Sequence, residues 1–148
     1  MADFPYSKAE WARVSEAART VLNATFADDK VLRASGFAEL RRVLSELRQR
    51  YGEHPVLLET EADFTDEPYQ RVRVYHQAIA LALASGWPTY SIRISLARVL
   101  LEDIEDAWQA SHELSACRAE VATRADDYER EQWEELQAGC AARMADSV

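Results

Sequence analysis

His54-Pro55 and Trp87-Pro88 each open an apolar run, and the two prolines stand 33 residues apart. Proline is well tolerated in the first turn of a helix, where its missing N–H would have had no intrahelical acceptor. A period of about 33–34 residues is that of helical-pair repeats, in which one unit cannot bury its apolar face without a neighbour. The spacing therefore predicts a stack of helices, an architecture used mostly to hold other proteins. Four glycines and four prolines in 148 residues leave too few turns for a β-rich fold. The expected fold class is all-α, with six to seven antiparallel helices in a single domain.

Periodicity and capping residues place the elements. Ser7 and Glu10 form a capping-box pattern, and Trp11, Val14, Ala18, Val21, Leu22 and Phe26 recur behind it at helical spacing. Ala27-Asp28-Asp29 breaks that helix, and a short turn around Val31 and Leu32 is expected before Ser35-Gly36 leads into a second. There Phe37, Leu40, Leu44, Leu47 and Tyr51 make a stripe that Gly52 closes, with the surrounding arginines wet. Residues 1–52 thus read as an N-terminal helical pair. Residues 55–124 read as two repeat-like pairs. Their helices run from Pro55 to about Phe64, from Pro68 to about Ala84, from a Thr89 cap to about Leu101, and onward from Ile104, with Ala107, Trp108, Ser111 and Leu114 facing inward. Residues 126–145 form a capping helix carrying Trp133, Leu136, Cys140 and Met144. No glycine or proline divides it from its predecessor, so the two either break at Asp126-Asp127 or run on as one.

Ala78 to Ala84 is apolar on every face, and Tyr90 to Leu101 is nearly so. Helices apolar all round are buried all round, which puts the fourth and fifth at the centre. One unit holds Leu58, Ala62, Ala78 and Leu81, and the next holds Leu96-Ala97, Leu100, a short acidic turn, Ala107, Ser111 and Leu114. On these residues the chain from Pro55 to Leu114 resembles tetratricopeptide repeats. The likeness covers about 60 of the 148 residues. The resemblance implies a tetratricopeptide-like helical-hairpin stack that binds a peptide or protein in a groove.

Charge narrows the partner. With 26 acidic and 17 basic residues the net charge is −9, which disfavours nucleic acid and suits a basic protein. No apolar run approaches the ~18 residues of a membrane span, and Met1-Ala2-Asp3-Phe4 begins no signal peptide. Cys117 and Cys140 make no disulfide framework, so a cytoplasmic protein is expected, a monomer or weak homodimer.

The chemistry-bearing residues are few. His112-Glu113-Leu114-Ser115-Ala116-Cys117 lacks the second histidine of a zinc-protease helix, and His54, His76 and His112 share no ligand spacing. Five acids fall between Glu59 and Glu67 without the central glycine of a calcium loop. No phosphate loop or nucleophile–base pair is present, so neither catalysis, a cofactor nor a metal is expected.

Arg93 and Arg98 lie on a helix that is otherwise apolar, where a guanidinium must be paired or kept at an edge. Glu59, Glu61 and Asp63, on the corresponding helix of the preceding unit, are their expected ion-pair partners. Together with Tyr90 these six form the candidate partner-binding set. The reading is a non-enzymatic protein-binding module that sequesters or escorts its partner, in the manner of an immunity or antitoxin protein or of a secretion chaperone. The alternatives are a homo-oligomeric scaffold, with Trp133 of the last helix at the contact, and a metal-dependent hydrolase using carboxylates around Glu59 to Asp66.

Overall fold

The computed structural model describes residues 3–146, and among these there are eight helices and no strand. They are α1 (Lys8–Phe26), α2 (Lys30–Tyr51), α3 (Pro55–Asp63), α4 (Pro68–Ser85), α5 (Tyr90–Glu102), α6 (Ala107–Ala116), α7 (Arg118–Arg124) and α8 (Asp127–Asp146). Successive neighbours pair: α1 packs on α2, α3 on α4, α4 on α5, α5 on α6, and α8 closes over α5 and α6. Two cores result. One joins α1, α2 and α3 around Val14, Leu44 and Leu57, and the other runs from Leu58 to Cys140.

The Ser7–Glu10 capping box forms in both directions, at 3.1 and 2.9 Å. The second helix starts earlier than expected. Asp29, not Ser35, opens it, its carboxylate accepting from the Leu32 N–H, and Gly36 lies inside the helix. Gly36 is there for closeness: a Cβ at that position would sit 3.0 Å from the Thr20 methyl and 3.2 Å from Val21 of α1. The α1 stripe is also displaced. Val14, Ala17, Val21 and Ala24 face α2, while Leu22 and Phe26 turn outward, Phe26 being 87% exposed.

His54 stitches the N-terminal pair to the rest. Its Nδ1 accepts the Val56 N–H at 3.0 Å, capping α3, and its Nε2 lies 2.9 Å from the Asp3 carbonyl. Its ring meets Trp87 edge-on at 4.7 Å. Burial holds the imidazole below its usual pKa, against the opposing pull of the Asp3 carbonyl and Glu53. Neutral His54 with its proton on Nε2 satisfies both nitrogens.

α5 is the central element, with seven of its 13 residues buried. α4 is not its equal. Val74, Tyr75, Ala78, Ile79 and Ala82 face the core, but Ala80, Leu83 and Ala84 are exposed, so this apolar-all-round helix covers one side only. Trp108 is likewise outside, 68% exposed, because Ala107, Ala110 and Leu114 define the inner face and a residue one step on points about 100° away. The sixth helix begins at Ala107 on an Asp106 cap rather than at Ile104.

The eighth helix arises from a break that periodicity did not show. At Cys117 the chain leaves helical geometry, and the Leu114 carbonyl accepts from the Trp133 indole N–H at 2.9 Å. A side chain inserted into the helical ladder is a recognised cause of such a kink. The expected second break occurs where the chain turns extended at Ala125, so α7 and α8 are separate. Both cysteines are free and buried; burial pushes the Cys117 thiol up to about 11 and raises Cys140 as well, which makes both poor nucleophiles.

Candidate functional site

One face of α5 breaks its apolar pattern. Ser91, Ser95 and Arg98 recur at four and three residues, on the side where α3 and α8 approach. From α3, Glu59 accepts the Ser91 hydroxyl at 2.7 Å. From α8, the Gln132 side-chain oxygen accepts from the Arg98 guanidinium. Between α5 and α8 lies a cleft of about 180 Å³ lined by Ser91, Ile94, Ser95, Arg98, Tyr128, Glu129 and Gln132. Tyr128 stands at its edge with 69% of its surface exposed.

Three carboxylates border this face. Glu59, half-buried, is pushed up to about 7, first by loss of solvent, then by Asp63 and Glu129, with Ser91 pulling the other way. Asp63 keeps an exposed edge, yet crowding at the α3–α4 junction raises its pKa too. The Tyr75 hydroxyl, which donates to it at 2.5 Å, and the nearby Arg71 oppose that rise. Burial and Asp63 in turn push the Tyr75 hydroxyl well above its usual value. Glu129 completes a reciprocal cap with Asp126 at the start of α8, at 3.0 and 2.8 Å. None of the three carries a Lys or Arg nitrogen within salt-bridge distance. That Glu129 reaches Glu59 electrostatically means α8 brings its charge across the cleft toward α3.

The six residues named from sequence divide. Glu59 and Arg98 both border this face, the first through Ser91 and the second through Gln132, and Asp63 lies one turn along α3 from Glu59. Tyr90 is half-buried at the start of α5, its hydroxyl raised by burial and then by Glu129 and Asp126, which places it at the α8 end of the same region. Glu61 does not belong: it lies about 200° around α3 from Glu59 and holds Arg48 of α2 at 2.9 Å. Arg93 does not belong either. It turns inward, its Nη1 2.7 Å from Glu113 of α6.

The expected pairing of Arg93 or Arg98 with Glu59, Glu61 or Asp63 is therefore overturned. Helical phase decides the matter: Arg93 and Arg98 lie about 140° apart on α5, so one points between α5 and α6 and the other toward α8. Thr89 sits at the N-cap position but makes no capping bond; its hydroxyl donates to Glu120 at 2.6 Å. Ser91, Tyr128, Glu129, Gln132 and Tyr75 were missed. The i, i+4, i+7 run of Ser91, Ser95 and Arg98 was the signal that could have found the face.

Charge is distributed unevenly along the chain. Residues 1–101 hold 13 acids and 13 bases, whereas residues 102–148 hold 13 acids and four bases. The whole net charge of −9 thus belongs to the last 47 residues, which supply the α8 wall of the cleft. Among the described residues, no three His, Cys, Asp or Glu side chains are arranged to hold a metal, and no helix is long and apolar enough to cross a membrane.

Glu59 makes a direct test of this electrostatic description. Below about pH 4.5 it is protonated in both folded and unfolded chains and contributes nothing. As pH rises from 4.5 through about 7 the unfolded chain sheds the proton first, so stability is lost over that window. Glu59→Gln removes the penalty. The variant should match the parent near pH 4 and exceed it by on the order of 1–3 kcal/mol at pH 8, read by urea denaturation at the two pH values. A variant no more stable at pH 8 than at pH 4, relative to the parent, contradicts the assignment.

No protein-family model, curated protein or solved structure matches this chain.

Proposed function

We propose that the chain is a non-catalytic protein-binding module. Its helices form a tetratricopeptide-like hairpin stack with α3, α5 and α8 on the inner face, and that face receives a basic segment of a partner that is sequestered or escorted. One observation carries the reading: Glu59, Asp63 and Glu129 border the cleft without a salt bridge to any of them, its one lining cation, Arg98, being turned to Gln132, while Tyr128 stands exposed at the rim. Elsewhere many of the carboxylates already hold an arginine, as in the pairs Arg13–Glu46, Arg33–Asp66, Arg48–Glu61 and Arg93–Glu113. A carboxylate that is desolvated, crowded by like charge and unpaired gains most from an incoming guanidinium or ammonium. An exposed tyrosine suits the same role, giving contact area at low entropic cost. The acidic C-terminal third supports an immunity-like or chaperone-like role, since both mask a basic protein.

The experiment is association kinetics with a partner recovered from the native host. The on-rate should fall as salt rises from about 50 to 500 mM, because screening shortens the reach of surface charge from roughly 14 Å to 4 Å. Replacing Glu59, Asp63 and Glu129 by their amides should slow association about tenfold and flatten the salt dependence. A partner whose on-rate ignores both changes removes the acidic face from the interaction.

A second reading, self-association as a scaffold, draws on a different surface from the one first expected. Trp133 is engaged internally, by the Leu114 carbonyl and by Arg118 stacked at 5.1 Å, whereas Leu22, Phe26, Val31 and Leu32 are exposed together at the α1–α2 turn. Light scattering distinguishes the readings, since a monomer at high concentration leaves only the first.

A further inference from the structure

On the opposite side of α3 from Glu59, the N-terminal pair does not close fully onto the rest of the stack. Where α2 passes α3 and α4 there is a half-open groove of about 280 Å³, floored by Leu40, Leu44, Phe64 and Val74, walled by Phe37 and edged by Thr65 and Gln70. Its rim charges are almost all neutralised in place. Asp66 takes both terminal nitrogens of Arg33, at 2.9 and 2.5 Å, and Glu61 takes Arg48 at 2.9 Å.

Arg41 is the exception. Its guanidinium lies over the Phe37 ring, 4.8 Å from the centroid, and no carboxylate lies within salt-bridge distance of it. The mouth of a half-open groove with an apolar floor thus holds one exposed, planar cation laid against an aromatic wall. Such a fork fits a carboxylate through two parallel hydrogen bonds.

We propose that this groove binds a small amphipathic monocarboxylate, its apolar body on the Leu40–Leu44–Val74 floor and its carboxylate on Arg41. Size supports the class. An apolar cavity of ~150 Å³ accepts benzene, so 280 Å³ accommodates a phenyl ring or short alkyl chain with an acidic arm. The pocket lies near the lower end of the volumes that small-molecule sites occupy, roughly 300–1,000 Å³, which points to a fragment-sized acid rather than a nucleotide or long lipid. A cationic ligand is disfavoured here by Arg41, whereas the acidic α3–α5–α8 face favours one. The two sites therefore have opposite charge preference and are tested separately.

The test is a ¹H–¹⁵N NMR titration of the full chain with phenylacetate, using phenylacetamide and phenethylamine as neutral and cationic counterparts of similar shape. The acid should give saturable shifts confined to the amides around Phe37, Leu44, Phe64 and Thr65, and bind roughly fivefold tighter than the amide, the gain of one partly exposed charge pair. Phenethylamine should bind there no better than the amide. Arg41→Gln, at an exposed position that leaves the core untouched, should bring the acid down to the amide's affinity, and Arg41→Lys should recover part of the difference. Absence of saturable shifts at the groove, equal binding of acid and amine, or an acid affinity unchanged in Arg41→Gln would each overturn the proposal.

Discussion

Replacing Arg93 by alanine should destabilise the chain by about 3–5 kcal/mol, the range for removing one member of a buried ion pair. The side chains of Arg93 and Glu113 are only 14% and 9% exposed, and their closest atoms lie 2.7 Å apart. Arg93 Nε also donates to the Thr89 hydroxyl at 3.1 Å, and Thr89 in turn donates its hydroxyl and its N–H to the Glu120 carboxylate, at 2.6 and 2.8 Å. The alanine variant strands Glu113 without a counter-charge and removes one acceptor's donor, so the loss has two sources. Arg93→Met combined with Glu113→Leu should restore most of it, because an apolar pair of similar volume escapes the desolvation penalty altogether. Urea denaturation of the parent and the two variants measures both quantities. A loss below about 1 kcal/mol for Arg93→Ala would mean that the pair behaves as a surface bridge.

Leu96→Ala should cost roughly 2–5 kcal/mol. Leu96 is fully buried, in the middle of the one helix that touches α4, α6, α7 and α8. Neighbours on four sides restrict collapse around the cavity, and incomplete collapse is what places a Leu→Ala change high in that range. The parallel Leu83→Ala, on the 64%-exposed outer side of α4, should change stability by less than about 0.5 kcal/mol. Similar losses at the two positions would contradict the asymmetry between α4 and α5.

What could be read from the sequence follows from which signals are local. Capping at Ser7, proline at the start of α3 and α4, and glycine after α2 and α4 are decided within a few residues, and all appear where expected. Gly36 misled because glycine ordinarily interrupts helices, whereas here a missing Cβ lets α1 approach α2. The Cys117 break was invisible because its stabilising donor, the Trp133 indole, is 19 residues from the carbonyl it reaches.

The candidate site was half legible for a similar reason. Composition and spacing supplied Glu59, Asp63 and Arg98 as charges needing an account. Their partners depended on helical phase and on which helix lay across the gap. Arg93 went to α6 and Arg98 to α8 because 140° of rotation separates them, and charge alone had pointed both at α3. Leu83 and Trp108 show the same limit for apolar residues. A helix apolar on every face is buried only as far as its neighbours extend.

On the function proposed above, the α3–α5–α8 face selects basic peptide segments. The direct measurement is an unbiased peptide-display selection on the wild-type chain, with counter-screening on the Glu59→Gln, Asp63→Asn, Glu129→Gln variant after circular dichroism has shown its helix content unchanged. Enriched peptides should carry two or more Lys or Arg residues, bind more weakly as salt rises, and lose about tenfold or more in affinity for the variant. Enrichment of peptides without basic residues, or of basic peptides that bind the variant equally well, would contradict the claim.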